Sequence, residues 1–210
     1  MAQLIHGLDA RRVADNLARV REELGRGDVQ VLAAVKYLPV EELGALAEAG
    51  ITVVGENRAQ ELEAKSAAHP ELTWDFIGHL QSRKVKQLLP LVRWIHSVAS
   101  DSALNELGKH AAADTEVLVE VNVAREEGKS GVLPEDLAGF IERSPVRVVG
   151  LMTMPPLAAR PEDSRRWFAA LAELAGERGL RELSMGTSQD YAVAAQEGAT
   201  IVRLGTILYT

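Results

Sequence analysis

Strand and helix signals alternate eight times along this sequence, behind one leading helix. They predict an α/β fold, a closed (β/α)8 barrel of the TIM type with an additional N-terminal helix. Three observations carry that expectation. Short apolar runs recur from end to end of the chain. Each is followed by an amphipathic segment that stops at Gly or Pro. The connections between them are short, and strict alternation with short connections implies a parallel sheet. The rival is an open doubly wound sheet, which usually carries nucleotides on Gly-rich turns; none of that form is present. No linker or low-complexity segment divides the chain, so residues 1–210 read as a single domain.

Taken in order, Leu8 to Leu24 is an amphipathic helix, with Val13, Leu17, Val20 and Leu24 on one face and Gly25 and Gly27 to stop it. Val31-Leu32-Ala33-Ala34-Val35 runs straight into Lys36, and Tyr37-Leu38-Pro39 ends the run; this is strand one, buried on both faces. Helices are expected at Val40 to Ala49, Arg58 to Ala68 and Gln81 to Leu89, and after a Ser100 or Asp101 cap to about Ala113. Between them lie strands at Thr52–Val54, Trp74–Ile77 and Trp94–His96. Glu116 to Asn122 is the longest expected strand, and its loop runs over residues 124–131. Pro134 opens a helix to about Arg143, Arg147 to Met152 is strand six, and Thr153-Met154-Pro155-Pro156 opens the longest loop. Asp163 to Glu177 is a helix with Trp167, Phe168, Leu171 and Leu174 inward. Leu183–Met185, a helix over Gln189–Gln196 and Thr200–Leu204 complete the alternation.

Composition narrows the function. Of 210 residues, 47% are apolar and 25% charged, so a sizeable core can form and disorder is excluded. A net charge of −7 argues against a general nucleic-acid binder or a ligand of anionic membranes. No cysteine is present, which fits a reducing compartment. Met1 to Gly7 carries neither a basic nor a long apolar leader segment, and no window is apolar enough to span a membrane. A cytoplasmic protein is expected.

The carboxyl ends of the strands are where such folds bind ligands. Lined up, they carry Lys36, Glu56-Asn57, Gly78-His79, Ser97, Asn122, Met152-Thr153, Ser188 and Arg203-Gly205-Thr206. Lys36, walled by apolar residues, can lose its proton near neutral pH and attack a carbonyl, forming a Schiff base with an aldehyde cofactor; the alternative is a strand-end lysine that snorkels to water. Gly186-Thr187-Ser188 and Gly205-Thr206 follow strands seven and eight, the usual phosphate position of a barrel. Ser188 alternatively serves only as a helix N-cap. Arg203 interrupts an apolar strand and needs a partner, either a ligand or an internal ion pair with a residue such as Glu120. His6, His69, His79, His96 and His110 show no metal-ligand spacing, so no metal is expected. His79 and His96 end strands and face the pocket or serve structurally. Gly128-Lys129-Ser130 imitates the end of a P-loop, but Val123 stands where its first glycine belongs.

A phosphate position, a lysine amine and a cation between them match pyridoxal 5′-phosphate. The chain resembles the pyridoxal phosphate homeostasis proteins, single-domain relatives of the alanine racemase barrel. The resemblance rests on Val35-Lys36, Gly55-Glu56-Asn57, Phe76-Ile77-Gly78-His79-Leu80-Gln81-Ser82, Lys129-Ser130-Gly131, Gly150-Leu151-Met152, Leu183-Ser184-Met185-Gly186, Ser188-Gln189-Asp190 and Val202-Arg203-Leu204-Gly205-Thr206. It covers almost the whole chain. Departures from the family pattern are Val35, Tyr37, Arg83, Thr187 and an end at Tyr209-Thr210 without a tail. If the strand pleat continues, Tyr37 points away from Lys36.

The resemblance implies a Schiff base at Lys36, phosphate contacts around Ser188, Gly205 and Thr206, backbone donors from Gly186 and Thr187, Arg203 facing the pyridine nitrogen, and Asn57 beside the ring. It places Lys129-Ser130-Gly131 near the site mouth; the alternative is a solvated turn. The implied function is vitamin B6 homeostasis: a non-catalytic protein that binds the cofactor and hands it to recipient apo-enzymes, expected as a monomer. The alternative is an amino-acid racemase. A racemase of this kind needs a second base from a separate domain, and little chain follows strand eight. A third possibility is a barrel for another phosphorylated metabolite, with Lys36 a simple cation.

Overall fold

The computed structural model describes residues 4–210; the start of the segment judged above to lack a leader, residues 1–3, lies outside them. Eight strands close in sequence order, every neighbouring pair parallel and β8 hydrogen-bonded back to β1. They are β1 (Gln30–Ala34), β2 (Val53–Glu56), β3 (Thr73–Phe76), β4 (Trp94–Val98), β5 (Glu116–Glu120), β6 (Arg147–Met152), β7 (Glu182–Ser184) and β8 (Ile201–Leu204). The leading helix α1 (Ala10–Leu24) precedes β1, and α2 (Gly44–Glu48), α3 (Ala59–Ala68), α4 (Val85–Leu88), α5 (Asp101–His110), α6 (Leu137–Glu142), α7 (Arg165–Gly176) and α8 (Tyr191–Gln196) follow the strands in turn. The (β/α)8 barrel with an extra N-terminal helix is therefore the observed fold.

A large apolar core lies between the barrel wall and the surrounding helices, while inside the barrel Leu32, Val53 and Ile201 make a small plug against which Ile77 and Trp94 pack. Beside that plug the interior is polar: Asp75, His96, Ser184 and Arg203 are all buried there.

Several boundaries differ from the sequence-based expectation. Strand one ends at Ala34, so Lys36 stands on the turn beyond it. β6, not β5, is the longest strand. The Val121 N–H still donates to the Met152 carbonyl of β6 at 2.8 Å, but the next, Asn122 N–H, donates to the Val132 carbonyl at 3.0 Å, so the 124–131 loop folds back over the strand end. The helices expected from Val40, Gln81, Pro134 and Asp163 begin as 3₁₀ turns, at Val40–Glu42, Ser82–Lys84, Pro134–Asp136 and Pro161–Ser164, before α-helix takes over. α5 stops at His110 because Ala111 is already extended, and Trp167 and Leu174 are only half-buried on α7. A further turn of helix, α9 (Thr206–Tyr209), follows β8 and was not expected.

Candidate functional site

A cavity of ≈ 490 Å³ opens at the C-terminal ends of the strands. Lys36, Asn57, Thr187, Ser188, Arg203, Gly205 and Thr206 all line it. Gly186 does not. It is buried at φ +90°, where a Cβ would stand 2.6 Å from the Ala194 Cβ, so it turns the loop from beneath.

Lys36 is half-buried, and its Nζ lies 4.7 Å from the centroid of the Tyr37 ring, which lines the same cavity. Tyr37 therefore does not point away: the pleat ends at Ala34, and a turn sets both side chains on one side. The backbone that carries Lys36 is held by a group absent from the sequence-based candidates. Lys65, buried on α3, donates from Nζ to the Val35 carbonyl at 2.9 Å and to Glu56 Oε2 at 2.6 Å. Glu56, fully buried, accepts with Oε1 from the N–H groups of Asn57 at 2.6 Å and Arg58 at 3.0 Å. One buried ion pair thus ties the end of β1 to the Asn57 turn. Asn57 Oδ1 is buried against the cavity with no hydrogen-bond partner among the described residues. Gly78 permits this packing, because a Cβ there would stand 2.0 Å from the Asn57 carbonyl oxygen.

Across the barrel mouth, Asp190 organises the loop after β7. Its Oδ1 accepts from the Thr187 N–H at 2.8 Å and the Thr187 hydroxyl at 3.1 Å, and its Oδ2 from Ser164 at 2.9 Å. The Thr187 N–H is thereby engaged inside the protein. Helix α8 begins only at Tyr191, so Ser188 is not its N-cap; Ser188 Oγ instead accepts from the Gly205 N–H at 3.4 Å. The N–H groups of Ser188, Gln189 and Thr206 have no protein acceptor among the described residues. Free N–H groups converging from two loops suit an anion.

Arg203 forms no ion pair with Glu120. Its Nη1 donates to the Ser184 carbonyl at 2.7 Å and hydroxyl at 2.6 Å, and its Nη2 to the Thr153 carbonyl at 2.9 Å and Met154 Sδ at 2.8 Å. Ser184 Oγ sits 2.9 Å from His96 Nδ1, and His96 Nε2 lies 3.1 Å from Asp75 Oδ2. Arg93 closes the chain, donating to Asp75 at 3.0 and 2.5 Å. Proton roles follow from the ends inward. Arg203 only donates, so Ser184 Oγ accepts from it and donates its own O–H to His96 Nδ1, leaving Nε2–H for the Asp75 carboxylate. Burial pushes the Arg203 guanidinium down to about 10, against the pull of Glu120 and Asp190. Burial likewise lowers His96, despite Asp75. His96 is thus an interior strut, whereas His79, exposed, lines the cavity. The Lys129-Ser130-Gly131 loop reaches the mouth through Ser130, whose hydroxyl donates to Glu120 Oε2 at 2.8 Å.

The site therefore offers a primary amine, a fixed guanidinium, an unpaired amide oxygen and an anion-binding rim. Comparisons with known proteins bear on the family. The family model for the alanine racemase N-terminal domain matches residues 8–210. The pyridoxal phosphate homeostasis protein of Aquifex aeolicus is 42% identical, over 94% of this chain and 94% of its own. The structure of PipY from Synechococcus elongatus PCC7942 with PLP bound superposes with a TM-score of 0.82 at 32% identity, covering 94% of this chain and 100% of that one. Alanine racemase of Clostridium difficile superposes with a TM-score of 0.77 over 96% of this chain and 57% of its own, and at 15% identity that likeness shows the barrel alone. Identity on this scale over nearly the full length, on the same closed barrel, means that the chain belongs to the pyridoxal phosphate homeostasis protein family, within the broader alanine racemase N-terminal domain family.

Proposed function

We propose that this protein binds pyridoxal 5′-phosphate covalently through Lys36 and serves vitamin B6 homeostasis in the cytoplasm, as a monomer that stores the cofactor and passes it to apo-enzymes. The observation that carries the proposal is the convergence, in one cavity, of the Lys36 amine, the unpaired Asn57 Oδ1 and the free N–H groups of Ser188, Gln189 and Thr206. These fit an aldehyde, a ring substituent and a phosphate respectively. Ser188 and Thr206 would hold the phosphate, with Gly205 joining them if its N–H turns from Ser188 Oγ to the phosphate, and Gly186 and Thr187 shape that loop, with Asp190 bracing Thr187. Asn57 would lie beside the ring and Arg203 would face its nitrogen. Bound there, the cofactor supplies an electron sink.

What this chain does to that sink is weaken it. Both Nη groups of Arg203 donate to Ser184, Thr153 and Met154, so it would offer the ring nitrogen its Nε–H alone, and a donor there would keep that nitrogen unprotonated. The protein is a cofactor holder with negligible racemase activity. Purified protein should absorb in the visible range, or gain that absorption with added pyridoxal phosphate, and borohydride should fix the cofactor to the Lys36 peptide by mass. A reduced adduct elsewhere, with Lys36 unmodified, overturns the assignment. Proton NMR in heavy water with L-alanine should show no rapid loss of the α-proton signal; rapid loss with inversion, abolished in Lys36→Ala, would establish a racemase instead.

A further inference from the structure

The rim that receives the phosphate in the reading above is short of positive charge. Among the described residues lining the cavity, the Lys and Arg side chains are Lys36 and Arg203. That reading gives Lys36 to the aldehyde, and the Nη groups of Arg203 are committed to Ser184, Thr153 and Met154. The rim itself supplies neutral donors, the N–H groups of Ser188, Gln189 and Thr206. Behind them stands a carboxylate. Asp190 accepts with Oδ1 from the Thr187 N–H at 2.8 Å and the Thr187 hydroxyl at 3.1 Å, and with Oδ2 from the Ser164 hydroxyl at 2.9 Å. All three donors are neutral, so they solvate the charge of Asp190 without cancelling it. Its field reaches the buried Arg203, which it pulls upward against the effect of burial.

Asp190 acts on the rim twice. It withdraws the Thr187 N–H from any ligand. It also sets a negative charge close by. Consecutive Cα atoms are about 3.8 Å apart, so a carboxylate bonded to the Thr187 N–H stands within a Debye length, roughly 8 Å, of the Ser188 N–H. A side chain reaching back to the N–H three residues earlier is ordinary at a helix entry, but an Asn oxygen accepts that bond equally well. The charge is what an Asn lacks.

We propose that the Asp190 carboxylate repels the phosphate of the bound cofactor and so keeps retention weak enough for the cofactor to be passed on. The proposal rests on the cofactor reading above and deepens it, by naming the residue that sets affinity at the phosphate end. Lys36 and the rim N–H groups hold the cofactor, and Asp190 opposes that hold from behind the rim. A like charge in the loop works against a phosphorylated ligand and leaves its unphosphorylated counterpart untouched. Asp190 therefore also narrows the preference for pyridoxal phosphate over pyridoxal.

Asp190→Asn tests this, because it removes the charge and keeps the loop's bonds: the Asn oxygen accepts from Thr187, and its NH₂ donates to the Ser164 hydroxyl oxygen. Dissociation constants are read by visible absorption with pyridoxal phosphate and with pyridoxal. Asp190→Asn should bind pyridoxal phosphate about three- to tenfold more tightly, with pyridoxal unmoved and the gain shrinking at high sodium chloride. Asp190→Ser, neutral and still able to accept from the Thr187 N–H, should move in the same direction. A carboxylate that only braces the loop gives a different sign. Weaker or unchanged binding of pyridoxal phosphate in the variants, or an equal gain for pyridoxal, overturns the proposal, and borohydride labelling of Lys36 then leaves the cofactor assignment standing. A second measurement needs no cofactor. Amide NMR of cofactor-free protein with inorganic phosphate should shift Ser188, Gln189 and Thr206, saturating at lower phosphate in Asp190→Asn than in wild type. Saturation at the same or higher phosphate, or no shift in either protein, overturns the proposal whether or not pyridoxal phosphate labels Lys36.

Discussion

Lys65 illustrates what a side chain far from the reacting atoms contributes. Its ammonium and the Glu56 carboxylate are both buried, and the pair joins β1 to the turn that presents Asn57. Lys65→Met leaves Glu56 as an uncompensated buried charge and should cost about 3–5 kcal/mol in urea unfolding, with weaker cofactor retention. The double variant with Glu56→Met should recover only part of this, because the Asn57 and Arg58 N–H groups then lose their acceptor. Full recovery would show that the pair is dispensable. His96 gives a pH prediction. Its folded pKa is depressed by burial, so below the ordinary histidine value of about 6.5 the unfolded chain binds a proton that the folded one refuses. Stability contributed by neutral His96 is therefore complete above about pH 6.5 and declines as pH falls below it. Asp75 adds to the loss only at lower pH. Burial raises its carboxyl, but His96 and Arg93 outweigh burial and hold it below the usual carboxylate range. Unfolding free energy measured from pH 7.5 to 4.5 should slope downward with acid, and His96→Gln should flatten that slope; an unchanged slope counts against the neutral strut. Lys65 was not legible in the sequence as part of the site, and for His96 the sequence left a pocket-facing and a structural role open. Each looks like a residue of its element, and only the closed barrel brings Lys65 under Val35 or stacks His96 between Ser184 and Asp75. Lys36, Ser188 and Thr206 were legible because each follows an apolar run at a barrel's ligand-binding end.

At the scale of elements, periodicity succeeded where the element is long. On α1 the expected face of Val13, Leu17, Val20 and Leu24 is the buried one, Gly25 closes the helix at φ +63°, and Asp9 caps it, accepting from Arg11 and Arg12 N–H groups. Asp9→Ala should lower stability by about 0.5–2 kcal/mol, read from thermal or urea unfolding. An effect confined to fraying of the first turn by hydrogen exchange, with no change in global unfolding, would mean that α1 is not integral to the cooperative unit. The short elements were less legible. Three or four apolar contacts do not separate i+3 from i+4 spacing, so the 3₁₀ entries to α2, α4 and α6 read as plain helix. The end of β5 is set by a loop that returns to take its hydrogen bonds, a long-range event that no local pattern announces.

The whole molecule depends on one closure. β8 pairs with β1 from Gln30–Ile201 to Ala33–Leu204, so the barrel is complete only when the first and last strands meet. Such non-local pairing costs chain entropy before it yields contacts. α9 secures it. Leu208 is fully buried, the Tyr209 hydroxyl donates to the Ala34 carbonyl at 3.1 Å, and Asn16 on α1 donates to the Leu208 carbonyl at 3.1 Å and the Thr210 carbonyl at 3.4 Å. The leading helix and the last turn of helix therefore clasp each other directly over the β1–β8 seam, just below the turn that carries Lys36. If this clasp governs closure, Asn16→Ala should do more than remove a buried hydrogen bond worth about 1–3 kcal/mol. Opening of the seam should become the lowest-energy route to exposing its amides. Native-state hydrogen exchange should then speed up together at Gln30–Ala34 and Ile201–Leu204, while amides of β5, on the far side of the barrel, keep their protection. A uniform loss of protection in all eight strands would instead mean that the barrel opens only as a whole and that Asn16 acts as an ordinary buried polar contact.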